Sequence, residues 1–220
     1  MTEIRIKDFQ TFHDLVQGYT TTRHIFRGVL DAKYKLLPKL GRPGMKFLDT
    51  IPNVEKEMLR LFKDFAMPYF PNPNLSNWEL LAIAQHHGLP TRLLDWSRNP
   101  LVAAYFAVEQ EFNGDSAMYV LKDMKFLNTE GVEPFDVMEV SKFIPPHITT
   151  RITAQSGLFT IHPDPSEPFV SASVDKLIIK KVFRRKLKKI LYRYGVHRAA
   201  LFPGLDGIAN YIQWLKTDSH

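Results

Sequence analysis

The stretch LAIAQHHGLPTRLLDWSRNPLVAAYFAV, residues 81–108, is apolar at both ends and carries most of its functional side chains in the middle. Ten such side chains occur in fifteen consecutive positions: Gln85, His86, His87, Thr91, Arg92, Asp95, Trp96, Ser97, Arg98 and Asn99. Binding and catalytic residues often lie on loops that a rigid scaffold positions. We therefore predict that this polar segment is a loop held at a cleft.

Two helices are predicted to enclose the polar segment. The pattern Ser76-x-x-Glu79 is a capping box that starts the first helix, and Gly88 ends it as a left-handed C-cap. Asn99 is the predicted N-cap of the second helix. Residues 101–108 are apolar nearly all round, which is typical of a buried helix.

The rest of the chain mixes strand and helix signals in an uneven order. Short runs rich in β-branched and aromatic residues predict strands at 24–29, 117–121, 158–162 and 177–183. Helical periodicity predicts further helices at 7–17 and 54–65, a basic helix ending at 194 and a last helix at 205–215. This order favours an α+β fold, with a mixed or antiparallel sheet and several packed helices, in one domain over residues 1–220.

Composition restricts the class of protein. The chain has no cysteine, which excludes disulfides, thiol catalysis and thiolate metal sites and fits a reducing compartment. Neither a signal sequence nor an apolar run of about 18–20 residues is present, so we expect a cytoplasmic protein without a membrane span.

The net charge of +6 makes an anionic partner plausible, and much of the excess is local. Eight basic residues fall within positions 180–193: Lys180, Lys181, Arg184, Arg185, Lys186, Lys188, Lys189 and Arg193. They form either a solvated helix face or a contact for RNA or another phosphate-bearing partner. No aromatic residues are interleaved on this basic face.

Known chemical motifs are mostly missing. There is no glycine-rich phosphate loop, and the neighbouring His86 and His87 would point about 100° apart on a helix, so no metal site is predicted. Arg27 stands within an apolar strand and must be solvated at an edge, paired or directed into a site. Asp95 is either a catalytic acid or the ion-pair partner of Arg92 or Arg98.

Three segments together resemble the FRG domain family, which takes its name from a Phe-Arg-Gly motif. They are Phe26-Arg27-Gly28, the run HGLPTRLLDWSRNPLVAAYFA at 87–107, and RITAQSGLFTIH at 151–162. The resemblance implies that one FRG-type domain has its core at about residues 20–215. It implies no particular activity by itself.

The same segments resemble, more distantly, ADP-ribosyltransferases of the Arg–Ser–Glu class. Those enzymes use NAD as substrate, which implies an ADP-ribosyltransferase-like fold and transfer to a protein or nucleic acid, in a bacterial or phage toxin or a defence effector. The implied catalytic residues are Arg27, Thr91, Ser97 and Gln155. The implied NAD contacts also include Phe26, Gly28, His87, Arg92, Asp95 and Trp96.

One position departs from the pattern of these transferases, because Gln155 aligns with the family glutamate. A glutamine can hydrogen-bond a ribose hydroxyl but carries no charge to stabilise an oxocarbenium-like transition state. Three alternatives follow: activity with Gln155, replacement by Asp95 or Glu167, or a non-catalytic module that binds a nucleotide or RNA through the same cleft and the basic helix.

Overall fold

The computed structural model describes residues 3–19, 21–70, 74–145 and 150–217. In these ranges seven strands form one sheet: β1 (Glu3–Ile6), β2 (Ile25–Val29), β3 (Leu93–Ser97), β4 (Ser116–Leu121), β5 (Ser141–Phe143), β6 (Gly157–Ile161) and β7 (Val174–Ile179). The strand order is β1-β7-β4-β2-β3-β6-β5, and only β1 and β7 pair in parallel. The sheet is therefore mixed and mostly antiparallel.

Helices pack against one face of this sheet, whereas the core on the other face is covered by loop residues such as Leu36 and Phe169. In the described ranges they are α1 (Phe9–Gln17), α2 (Ile51–Ala66), α3 (Asn77–His86), α4 (Pro100–Val108), α5 (Thr150–Ala154), α6 (Lys181–Arg193), α7 (Arg198–Leu201) and α8 (Leu205–Thr217). The predicted α+β class is confirmed. Over the described residues, no helix combines the length and apolarity that a membrane crossing requires.

The predicted helix caps around the central stretch are present. Ser76 and Glu79 make the reciprocal bonds of a capping box at the start of α3. The Asn99 side chain accepts a hydrogen bond from the Leu101 N–H at 2.9 Å and so caps α4. Because each cap depends on residues within three positions of one another, local sequence was sufficient to predict it.

The prediction of a loop between these helices is wrong at its centre, where β3 is an inner strand of the sheet. Leu94 and Trp96 pack into one core and Leu93 into another, so β3 is covered on both faces and shows no simple alternation. Its polar residues, Asp95 and Ser97, caused the segment to resemble a loop.

Other differences concern strand ends. The strand predicted at 177–183 is β7, which ends at Ile179 because Lys180 is the N-cap of α6, and Phe183 is a buried residue of that helix. Strands β1 and β5, which have four and three residues, were not predicted. Residues Thr150–Ala154, for which no helix was predicted, form α5.

The sheet has a seam between β2 and β3. These strands pair at a single register position, Phe26 with Ser97, whereas β2 pairs along its length with β4 and β3 along its length with β6. Beyond that one pair, the edges of β2 and β3 are not joined by the ladder. The seam thus divides the sheet into a four-strand part and a three-strand part.

Helix α4 lies directly against β2 at Gly28. A Cβ atom at this position would lie 1.8 Å from the Ala103 carbonyl oxygen and 2.6 Å from the Ala107 nitrogen. Both are backbone atoms of α4, so only glycine allows the helix to approach this closely. This close packing places α4 on β2 directly beside the seam.

Candidate functional site

A cleft of about 450 Å³ opens at the seam and takes residues from both parts of the sheet. Strand β2 contributes Arg27, β3 contributes Asp95, and α3, α4 and α5 supply further walls. The volume falls within the range of small-molecule and cofactor sites. Of the predicted site residues, the cleft brings together Phe26, Arg27, Gly28, Asp95, Trp96, Ser97 and Gln155.

Arg27 bridges the seam. Its Nη1 atom donates to the Asp95 carbonyl oxygen at 2.6 Å and lies 3.5 Å from Asp95 Oδ2. The Arg27 side chain is 14% exposed, whereas that of Asp95 is 57% exposed. Burial lowers the pKa of Arg27, but a guanidinium keeps its charge at any physiological pH. The cleft therefore contains a fixed cation beside an accessible carboxylate.

Thr91 and Gln85 form a chain of hydrogen bonds that orients the Asp95 carboxylate. The Thr91 hydroxyl donates to Gln85 Oε1 at 2.6 Å, and Gln85 Nε2 donates to Asp95 Oδ2 at 2.9 Å. With its amide oxygen occupied by Thr91, Gln85 presents its N–H group to Asp95. Thr91 itself is buried outside the cleft, so its role is to orient Gln85.

Ser97 and Gln155 lie at the cleft, but their side chains form hydrogen bonds with backbone groups. Ser97 Oγ donates to the Gln155 carbonyl oxygen at 2.7 Å and accepts from the Asn99 N–H at 3.0 Å. Gln155 Nε2 donates to the Leu201 carbonyl oxygen at 2.9 Å. These bonds tie β3, the end of α5 and α7 together around the cleft.

Two residues predicted to contact NAD do not line the cleft. Arg92 is buried and paired with Glu55, with Nε 2.8 Å from Glu55 Oε2, and its backbone N–H donates to Glu55 Oε1 at 2.9 Å. His87 is exposed at the end of α3. The ion-pair partner of Asp95 is Arg27, and neither Arg92 nor Arg98 takes that role.

Phe26 and Trp96 contribute to the cleft as buried core residues. Each is only about 3% exposed, and Trp96 Nε1 donates to Thr160 Oγ1 at 2.9 Å. A ring fixed in this way can shape the wall but has little accessible face for stacking on a ligand.

The cleft also contains His86 of the polar segment and Arg151, neither of which was among the predicted catalytic or NAD-binding residues. Burial, with help from Arg151, lowers the pKa of His86 to about 4, so this imidazole is neutral at pH 7. The Arg151 guanidinium lies 4.3 Å from the centroid of the Phe202 ring, and its buried Nε has no hydrogen-bond partner among the described residues. The sequence did not indicate Arg151 as a site residue, because its place in the cleft depends on α5, a helix that was not predicted.

Positive charge predominates in the cleft. Its cationic residues are Arg27, Lys39, Arg42 and Arg151, and its acidic residues are Asp95 and Glu109. Glu109 is ion-paired with Arg198, so Asp95 is the more available carboxylate. This balance suits an anionic ligand with one positively charged portion. In the described ranges, no three His, Cys, Asp or Glu side chains are arranged to hold a metal ion.

Comparison with known proteins gives one match. No curated protein and no solved structure matches the chain. The family model that does match spans β2, α2, α3, β3 and α4, and so includes Arg27 and Asp95 but ends before α5. The matching model is that of the FRG domain and covers residues 22–116, which confirms the predicted family resemblance over that range.

Proposed function

We propose that the cleft binds NAD and that the protein transfers ADP-ribose from NAD to a macromolecule. The observation that carries this proposal is the pair at the seam, where the buried Arg27 guanidinium lies beside the exposed Asp95 carboxylate. An ADP-ribosyltransferase-like fold, a cytoplasmic location and a role as a toxin or defence effector belong to the same proposal.

The charges of the cleft suit the parts of NAD. The pyrophosphate needs cations with several N–H donors, which Arg27, Arg42 and Arg151 supply. The nicotinamide ring carries positive charge, which the Asp95 carboxylate attracts. Because Gln85 donates to Asp95 Oδ2, the carboxylate is held in one orientation while much of its surface stays open to the ligand.

The reaction breaks the bond between ribose C1′ and the nicotinamide nitrogen, and the electron pair of this bond leaves with nicotinamide. A nucleophilic oxygen or nitrogen of the acceptor forms the new bond to C1′ and loses its proton. Positive charge develops on the ribose between these events, and a fixed carboxylate stabilises it. We assign this role to Asp95, since the Gln155 amide is neutral and bound to the Leu201 carbonyl oxygen.

A non-catalytic nucleotide- or RNA-binding module is the second candidate. It is favoured by Gln155, because no carboxylate stands at the position where the resemblance expects the glutamate. In this alternative, Arg27 and Arg151 hold phosphates, and Asp95 only orients Arg27.

The test is incubation of the purified protein with labelled NAD, a bacterial lysate and total RNA, beside an Arg27→Ala variant. We expect label on a macromolecule with the unsubstituted protein and none with the variant. Calorimetry with NAD should show binding that Arg27→Ala weakens by about 10- to 100-fold, the loss expected for a hydrogen-bonded charge. Thermal unfolding of both proteins checks that the variant is folded.

Label transfer that survives Arg27→Ala in the folded variant would contradict the assignment of Arg27. Absence of both transfer and nicotinamide release, with NAD binding intact, would leave the binding module as the function. Absence of NAD binding as well would reject the NAD proposal.

A further inference from the structure

A second pocket lies between α6, α7 and α8, next to the end of α4. Its volume is about 260 Å³. Glu109 and Gln110, just beyond the end of α4, line both this pocket and the cleft. The two concavities are therefore neighbours that share a wall, and we name the second one the aromatic pocket.

Four rings line the aromatic pocket in a continuous series. The rings of His197 and Tyr211 are stacked, with centroids 4.4 Å apart and an angle of 21° between planes. Tyr192 lies 5.5 Å from Trp214 in an edge-on arrangement, and Tyr211 lies 6.4 Å from Trp214. None of these four residues is fully buried, so the series offers aromatic surface to a planar ligand.

The charged residues of the pocket indicate which charge a planar ligand should carry. Lys188 Nζ lies 5.2 Å from the centroid of the Trp214 ring, and the Arg198 guanidinium lines the same pocket. Glu109, the one carboxylate among the described lining residues, is ion-paired with Arg198. Cations therefore outnumber acids among the described residues that line the pocket, which favours a ring that carries a phosphate over a cationic ring.

The basic face of α6 leads into this pocket. Lys181, Arg185, Lys188 and Tyr192 follow one another at spacings of four, three and four, which places them along one side of the helix. Lys180 and Arg184, which belong to the same basic segment, are engaged elsewhere. Lys180 is ion-paired with Asp115, and the buried Arg184 donates to Ser116 Oγ and to the carbonyl oxygens of Phe112 and Gln110.

We propose that the aromatic pocket binds a base of a single-stranded nucleic acid, with the backbone phosphates along the basic face of α6. A groove that combines stacking rings with a line of cations is the usual way in which proteins bind single strands. Amide groups of Gln110, Asn210 and Gln213 at the pocket provide donors and acceptors for a base edge.

This inference rests on the proposed function and identifies the acceptor of ADP-ribose as a nucleic-acid strand. A strand held in the aromatic pocket would lie beside the cleft. A nitrogen or oxygen of the strand forms the bond to ribose C1′ as nicotinamide leaves with the electron pair of the broken bond. The proton of the acceptor passes to Asp95 or to water.

The direct test is fluorescence anisotropy with short labelled strands of RNA, DNA and a duplex of the same sequence. We expect tight binding of a single strand and a loss of about 10-fold or more in Trp214→Ala, since stacking of one base contributes about 1–3 kcal/mol. Trp214→Phe should retain most of the binding. Lys188→Gln, which removes a cation, should weaken binding and reduce its salt dependence. Tyr69→Ala, at an exposed tyrosine outside the pocket, is the matched control.

The RNA and DNA strands distinguish the two sources of a base, and the duplex should bind more weakly than either. Calorimetry with NAD on the same variants separates this inference from the proposed function. Strand binding that depends on Trp214 without any NAD turnover supports the pocket and rejects the transferase. Equal strand binding by Trp214→Ala, Lys188→Gln and the unsubstituted protein would overturn the inference. So would a loss of NAD affinity in Trp214→Ala, which would assign the pocket to the adenine of NAD.

Discussion

The guanidinium of Arg27 on β2 donates a 2.6 Å hydrogen bond to the backbone carbonyl oxygen of Asp95 on β3, across the part of the seam that the strand ladder does not close. One side chain thereby replaces the missing backbone bonds and also places a cation beside the Asp95 carboxylate. Arg27 therefore has two roles: its hydrogen bond joins β2 to β3 across the seam, and its positive charge lies in the cleft.

Asp95→Asn should reduce ADP-ribose transfer by about 100-fold or more, which is the usual effect of removing one electrostatic stabiliser of a transition state. Asparagine keeps the size of the side chain and an oxygen that accepts from Gln85, so folding stability should change little at this exposed position. The measurement is the rate of nicotinamide release at saturating NAD.

Glu167→Gln is the matched control, because Glu167 is exposed and does not line the cleft. Its rate should equal that of the unsubstituted protein. A normal rate in Asp95→Asn, together with a loss in Glu167→Gln or Gln155→Ala, would transfer the electrostatic role to one of those residues.

Glu55→Ala should lower the free energy of unfolding by about 3–5 kcal/mol, because it leaves the buried Arg92 charge without its partner. Glu57→Ala removes a carboxylate from the exposed pair with Arg60 on the same helix and should leave the free energy of unfolding nearly unchanged. Urea unfolding of the two variants gives the comparison.

Arg92→Met extends the same test to a residue that the sequence associated with NAD. It should destabilise the protein but leave the NAD affinity of the folded molecules unchanged, since Arg92 does not line the cleft. A large loss of NAD affinity in a variant of nearly normal stability would restore Arg92 to the site.

Local signals predicted the helices well and the site only in part. The caps of α3 and α4 involve residues within three positions of each other, whereas β3 is defined by its pairing with β6, which joins Asp95 to Phe159. A strand that is buried on both faces has no alternation to reveal it. Its exposed Asp95 increased its resemblance to a loop.

The ion pairs show the same limit. Arg92 and Arg98 were the near neighbours of Asp95 in sequence, yet Asp95 pairs with Arg27, 68 positions away, and Arg92 pairs with Glu55, 37 positions away. The aromatic pocket likewise combines Tyr192 of α6 with Tyr211 and Trp214 of α8. The expectation of no aromatic residue on the basic face is wrong at Tyr192, and the other rings could not be predicted there because they come from other elements.

Lowering the pH from 7 to about 4 should destabilise the protein through His162. Burial lowers the pKa of His162 to about 4, whereas the unfolded chain takes up the proton near the ordinary value of 6.5. Between these values the unfolded state binds more protons, so the free energy of unfolding falls as the pH falls. The contribution of His162 is about 3 kcal/mol.

Urea unfolding at pH 7, 5.5 and 4.5 measures this effect. His162→Gln should remove about half of the loss that the two buried histidines cause between pH 7 and 4.5, since the pKa of His86 is also lowered to about 4. His13→Gln, on the exposed side of α1, is the control variant. The same slope in His162→Gln as in the unsubstituted protein would show that the acid sensitivity lies elsewhere, with His86 as the next residue to substitute.

Gly28→Ala distinguishes two reasons for a glycine after Arg27. If the glycine served only to let a ligand approach β2, alanine would leave the fold intact and weaken NAD binding alone. The structure indicates the other reason, because the added Cβ would lie 1.8 Å from the Ala103 carbonyl oxygen and 2.6 Å from the Ala107 nitrogen. Neither backbone atom of α4 can move away without lifting the helix from β2. We expect a loss of about 3 kcal/mol or more in the free energy of unfolding, at the upper end for overpacked cores.

Gly18→Ala is the control: its Cβ would lie 3.2 Å from the Leu15 carbonyl oxygen, and the residue already has helical backbone angles. That variant should unfold within about 1 kcal/mol of the unsubstituted protein, since alanine has the higher helix propensity. Because α4 also forms a wall of the cleft, Gly28→Ala should lose NAD binding in parallel with its fold, and normal stability in this variant would contradict the close contact between α4 and β2.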